Sequence, residues 1–195
     1  MIRAVSVVVV LALATVACGS SGDSAEPRNP TTTMSPSSTT TTDPWAVPEK
    51  IDVAYVQRVV DEFSRILTQA WVRARDKGTV DAEVERLIRS VESEGRVEFD
   101  LSSMRQAAED DFRRVVTPIV AERAQIKQIV YASPSCIQAS GVVDYSRSIR
   151  GGTPQGVVFE FERAVEERLP NRTGWQQYGL YQARAPEGGK PCARP

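Results

Sequence analysis

The sequence predicts an α+β domain in which three N-terminal helices pack on an antiparallel four-stranded sheet. Three observations carry that prediction. Before Pro118, apolar residues recur at three- and four-residue steps in three separate stretches, which is the period of a helix. After Pro118 they alternate with polar residues, which is the period of a half-buried strand. Breakers at Ser133-Pro134, at RGGTPQG (150–156) and at LPNRTG (169–174) cut the second half into four segments. Helices followed by such a meander give an antiparallel sheet with its helices segregated to one face.

The first helix is predicted between Asp52 and Arg75, with Val56, Val59, Val60, Phe63, Ile66, Leu67, Ala70 and Trp71 on one stripe. Asp52 is a suitable N-cap and Gly78 a suitable stop. The second is capped by Thr79 or Asp81, buries Val84, Leu87, Ile88 and Val91, and ends at Gly95. The third runs from about Asp100 or Ser102 through Met104, Ala107, Ala108, Phe112, Val115 and Val116 to Pro118, which disfavours helix at the residue before it.

Four strands follow: AQIKQIVYA (124–132), CIQASGVVDYS (136–146), GVVFEFERAVEE (156–167) and GWQQYGLYQARA (174–185). In the second, Ile137, Ala139, Gly141, Val143 and Tyr145 share a face. In the third, Val157, Phe159, Phe161 and Val165 face one way while Glu160, Glu162 and Glu166 face the other, expected to be the solvated side of the sheet.

Composition excludes whole classes of chemistry. The chain of 195 residues has no His, which removes Ser-His-Asp triads and His-rich metal sites. Its 24 Lys and Arg against 25 Asp and Glu are spread along the chain, so no basic face for nucleic acid is expected. The acidic run AEDD (108–111) reads as a wet helix surface. No cofactor or metal is expected.

At the N-terminus, Arg3 supplies one positive charge ahead of an uncharged apolar run from Ala4 to Ala17, too short for a bilayer that needs ~20 apolar residues. Residues 1–17 therefore read as an export signal. Thr15, Val16, Ala17 and Cys18, followed by GSSGDS, resemble the lipobox of bacterial lipoproteins, with Thr15 standing where the usual pattern has Leu. The resemblance implies cleavage after Ala17, a diacylglycerol on Cys18, and attachment to the extracytoplasmic face of the cell membrane. Two acyl chains suffice for stable anchoring. Residues 18–47, rich in Ser, Thr and Pro, are expected to be a disordered tether. The folded domain is expected over 48–195.

The segments IDVAYVQRVVDEF, ASPSCIQASGVVDYS and NRTGWQQY (171–178) are similar to those of uncharacterised exported or lipid-anchored actinobacterial proteins with a nuclear transport factor two-like (cystatin-like) cone. The resemblance implies a curved sheet whose concave face forms a pocket. Tyr145, Arg163, Trp175 and Tyr181 are its candidate lining residues, Arg163 because it follows Phe161 on the apolar face of its strand.

With Cys18 acylated, Cys136 and Cys192 remain as an even pair in an exported domain, and one bridge between them is expected. It would close a loop of roughly 60 residues and stabilise by ~4 kcal/mol. No Cys-x-x-Cys spacing supports a redox site. Asp144 and Tyr145 are adjacent and so on opposite strand faces, which weighs against catalysis. The expected function is non-enzymatic: a lipid-anchored extracytoplasmic protein that binds a small apolar ligand or an envelope protein. Two alternatives stay open: a pocket enzyme of the isomerase or hydrolase kind using carboxylate, Tyr and Arg groups, and a structural accessory of an envelope complex.

Overall fold

The computed structural model describes residues 43–182. The expectations for the export signal, for Cys18, for the tether up to residue 42 and for Cys192 lie outside the described residues. Helices α1 (Val53–Lys77), α2 (Ala82–Val91) and α3 (Glu94–Glu109) precede strands β1 (Arg123–Ala132), β2 (Cys136–Asp144), β3 (Pro154–Arg163) and β4 (Trp175–Gln182). The strands form one antiparallel sheet in the order β1-β2-β3-β4, the meander expected from the sequence. The fold class is α+β.

Local chemistry sets the helix limits. Asp52 accepts from the Tyr55 amide and caps α1, while Gly78 closes it in the left-handed region at φ 66°. Asp81, rather than Thr79, caps α2 through the Val84 amide. The helix is shorter than expected: it ends at Val91, and Gly95 lies inside the first turn of α3 instead of stopping α2. The cause is tertiary. Glu92 is extended and bridges Gln177 of β4, the Ser93 amide donates to the Gln177 carbonyl, and the Gln176 side chain donates to the Glu92 carbonyl.

Helix α3 likewise begins earlier and ends earlier than its apolar pattern suggests. It stops at Glu109, because Asp111 and Phe112 turn left-handed at φ 52° and 51°. That turn swings Phe112 edge-on against Trp71, with ring centroids 6.4 Å apart, so it is buried without being helical.

Strand β3 ends at Arg163, and Val165 stands out in solvent at 94% exposure instead of continuing the apolar face. Strand β2 ends at Asp144, whose carboxylate takes up the Ser146 amide and hydroxyl and starts a 3-10 turn over Tyr145–Arg147. Just before Pro48 a turn closes from the Ala46 amide to the Asp43 carbonyl, and Val47 packs against the core.

The core lies between the helices and one sheet face. Val56, Val59, Phe63, Ile66 and Ala70 of α1 meet Ile137, Ala139, Phe159 and Phe161. Phe63 sits edge-on to Phe161 at 5.6 Å, and Phe159 stacks on Phe161 at 6.0 Å. Gln57 fixes α1 to β1 with both ends of its amide, donating to the Ala124 carbonyl and accepting from the Ile126 amide. Gly141 is required by close approach: a Cβ there would stand 2.5 Å from the Gln125 carbonyl oxygen. Register shifts interrupt the β1–β2 pairing at Ile126/Gln128 and Ile129/Tyr131 and the β3–β4 pairing at Glu160/Phe161. Among the described residues no helix is long and apolar enough to cross a membrane.

Candidate functional site

Where α3, the segment before β1 and the 3-10 turn after β2 diverge, the packing opens into a cavity of about 330 Å³. Helix α1 lines it with Val60, Phe63, Leu67 and Trp71, α3 with Phe99 and Met104, and the sheet with Val143, Phe159 and Leu180. Most of the wall is therefore aliphatic or aromatic. Phe99 and Ile149 line the cavity yet are 67% and 39% exposed, so they mark its mouth as apolar. Sites for small organic molecules have this character: concave, mostly apolar, with a few placed polar groups.

Besides Ser64, Thr68 and Gln177, the polar groups of the wall are Glu92, Arg96, Asp100, Glu122, Tyr145 and Ser148. Glu92, Arg96 and Asp100 are four residues apart, which puts them on one side of the α2–α3 junction. Arg96 Nε donates to Glu92 Oε2 at 2.7 Å, and Arg96 Nη2 approaches Asp100 Oδ2 at 3.3 Å. Glu122 accepts from the Ser148 hydroxyl at 2.8 Å.

Burial governs the ionisation of this group. Glu92 is 1% exposed, and loss of water pushes its carboxyl up to about 8, against the pull of Arg96 and with a further push from Asp100. Asp100 is also raised by burial, although Arg96 opposes the shift. Glu122 is raised by burial, the Ser148 bond opposing and Asp100 adding to it. Burial works against the charge on Arg96, but Glu92 and Asp100 outweigh it and its pKa rises. Burial raises the Tyr145 phenol as well, helped by Glu122. Near neutral pH, Glu92 holds a proton and stands in hydrogen-bond contact with Asp100, beside a guanidinium.

Of the four residues expected to line a pocket, only Tyr145 does so, and it does so from the 3-10 turn rather than from the strand. Arg163 is exposed at the end of β3. Its guanidinium lies 5.4 Å over the Trp175 ring and against Gly174, away from the cavity. Trp175 is fully buried and donates through Nε1 to the Tyr55 hydroxyl at 2.8 Å, which makes it core.

Tyr181 is on the opposite sheet face, where it and Tyr178 hydrogen-bond Glu160. That face is not simply solvated: Glu160 is 8% exposed and also accepts from the Gln138 amide at 2.6 Å. Cys136, at the start of β2, is disulfide-bonded, and its partner lies outside the described residues. The AEDD run ends α3 in solvent, and among the described residues no group of acidic or Cys side chains is placed to hold a metal ion.

Glu92, Arg96, Asp100 and Glu122 escaped sequence reasoning. The one available signal was the four-residue ladder of Glu92, Arg96 and Asp100, which in isolation reads as a solvated helix face.

No family model and no curated protein matches the chain. Among solved structures, the solution NMR structure of a de novo β-sheet design protein is 11% identical, with 71% of this chain and 96% of that chain covered, at a TM-score of 0.26. At that score the likeness bears on neither fold nor function.

Proposed function

We propose that the protein is a lipid-anchored extracytoplasmic binding protein that holds a small, largely apolar ligand in the cavity between α1, α3 and the sheet. The observation that carries this reading is the 330 Å³ space, walled by Phe63, Leu67, Trp71 and Met104 and entered past exposed Phe99 and Ile149. A space of this size left in an otherwise close-packed interior loses contact energy unless something fills it. The anchor rests on the lipobox-like Thr15–Cys18, and the family reading on the cone-like sequence segments. The bridge from Cys136 to Cys192 is part of the same proposal.

Two experiments test it. Ser64→Phe places a ring into the cavity wall, and it is expected to abolish uptake of an apolar probe such as 1-octanol while the protein stays folded. Undiminished uptake would place the ligand elsewhere. Cys18→Ala is expected to move the protein out of the membrane fraction, and unchanged fractionation would refute the anchor.

The carboxyl pair favours a second reading. Two carboxyl groups, Glu92 and Asp100, both pushed up by burial, stand beside the Arg96 guanidinium and face an apolar space, a set able to give and take a proton. In a pocket enzyme of the isomerase or hydrolase kind, Glu92 would serve as acid and Asp100 as base. Chemical change of a bound ligand by the wild-type protein, lost in Glu92→Gln, would select this reading over simple binding.

A further inference from the structure

We propose that the ligand of the cavity carries a positively charged head group, an organic ammonium on an apolar body. This rests on the ligand-binding reading above and adds a charge to it. The cavity wall contains three carboxyl side chains, Glu92, Asp100 and Glu122, against a single guanidinium, Arg96. Helix α1 contributes no charge to the wall, only Ser64, Thr68 and apolar groups. The strands contribute none either, since Val143, Phe159, Gln177 and Leu180 are neutral.

Arg96 is already committed, held between Glu92 and Asp100. Glu122 accepts from the Ser148 hydroxyl, and among the described residues no cation forms an ion pair with it. A carboxylate in such a place is costly to ionise without a counter-charge. The shifts of Glu92, Asp100 and Glu122 toward the protonated form agree with that deficit.

Each class of head group meets a different reception. An anionic head would place a further acidic group beside three carboxyl side chains that share one guanidinium. A neutral head would leave Glu122 uncompensated. An ammonium would supply the missing charge and form charge-assisted hydrogen bonds to Glu122 or Asp100, in a wall that also holds the aromatic side chains of Tyr145 and Phe99. A bare metal ion does not fit: no metal-holding group exists among the described residues, and most of the wall is hydrocarbon.

The test compares three probes with the same eight-carbon chain: octylammonium, 1-octanol and octanoate. Calorimetric titration at neutral pH uses the chain from residue 18 onward, produced without lipid so that no detergent competes. Octylammonium is expected to bind at least roughly tenfold tighter than 1-octanol, and octanoate weakest, as one charge-assisted contact in a partly buried site provides. Glu122→Gln is expected to reduce the ratio of octylammonium to 1-octanol affinity at least roughly fivefold. Asp100→Asn serves in its place if Glu122→Gln does not fold.

Binding of 1-octanol or octanoate as tight as that of octylammonium overturns the charge while leaving the cavity as an apolar site. An ammonium preference that survives both substitutions overturns it as well. Failure of all three probes to bind overturns the charge and the ligand-binding reading together.

Discussion

Two polar clusters lie against the same core and differ in almost every respect. Around Trp175, the Asn171 amide donates to the Ser90 and Trp175 carbonyls, and its oxygen accepts from the Thr173 amide and hydroxyl. Trp175 itself reaches the Tyr55 hydroxyl. Beneath the Arg163 guanidinium that covers the ring, these hydrogen-bonding groups are neutral, fully partnered and closed off. Around Glu92 the groups are charged, proton affinities are displaced, and the packing stops at a cavity. Among the described residues no buried side-chain nitrogen or oxygen lacks a partner in either cluster. The contrast teaches that hydrogen-bond satisfaction does not distinguish the two clusters, whereas charge displaced by burial beside an unfilled space does.

If the comparison is right, the two clusters fail differently. Trp175→Ala is expected to have the largest effect. It removes a fully buried indole and leaves the Tyr55 hydroxyl unpartnered, costing about 3–5 kcal/mol in a denaturant melt. A loss below about 1 kcal/mol would mean that this region is not the structural anchor.

Glu92→Gln is expected to change the pH dependence of stability rather than its peak value. The carboxyl's pKa is 4.5 unperturbed and about 8 in the fold. The native state therefore binds the proton more tightly, so this contribution is complete below about pH 4.5 and is lost as pH rises through 8. Wild-type stability should fall across that window by up to about 1.4 kcal/mol per pH unit from this group alone. Gln removes the slope, so the variant gains on the wild type as pH rises. Parallel profiles would show that Glu92 does not hold its proton.

Phe99→Ser is expected to have the smallest effect on stability, within about 0.5 kcal/mol, because the ring is 67% exposed. It should nonetheless weaken uptake of an apolar probe severalfold. Unaltered uptake would move the mouth away from Phe99.

Much of the fold was legible in the sequence because it is written in local chemistry. Asp52 and Gly78 set the limits of α1 by capping, and alternation placed Phe159 and Phe161 inward. The errors have long-range causes. Gln177 of β4 interrupts the helices at Glu92 and Ser93, and no signal near Gly95 reveals a partner more than eighty residues away. Val165 looked inward by period, but Arg163 folds over Trp175 and the strand ends there.

Of the candidate site, only Tyr145 was legible. Aromatic and Arg residues on an inward row are natural choices for a pocket, yet Trp175 is consumed by the core and Tyr181 lies across the sheet. The acidic groups that do face the cavity sit on a helix, where charges at four-residue spacing ordinarily face water.

Whether the cavity is filled in the working protein is decided by native mass spectrometry of the protein purified from its native source. The expected result is a protein mass increased by one small organic molecule, released on denaturation and absent from the Ser64→Phe variant. A mass equal to that of the covalent protein alone, with no 1-octanol taken up on addition, would show the cavity empty.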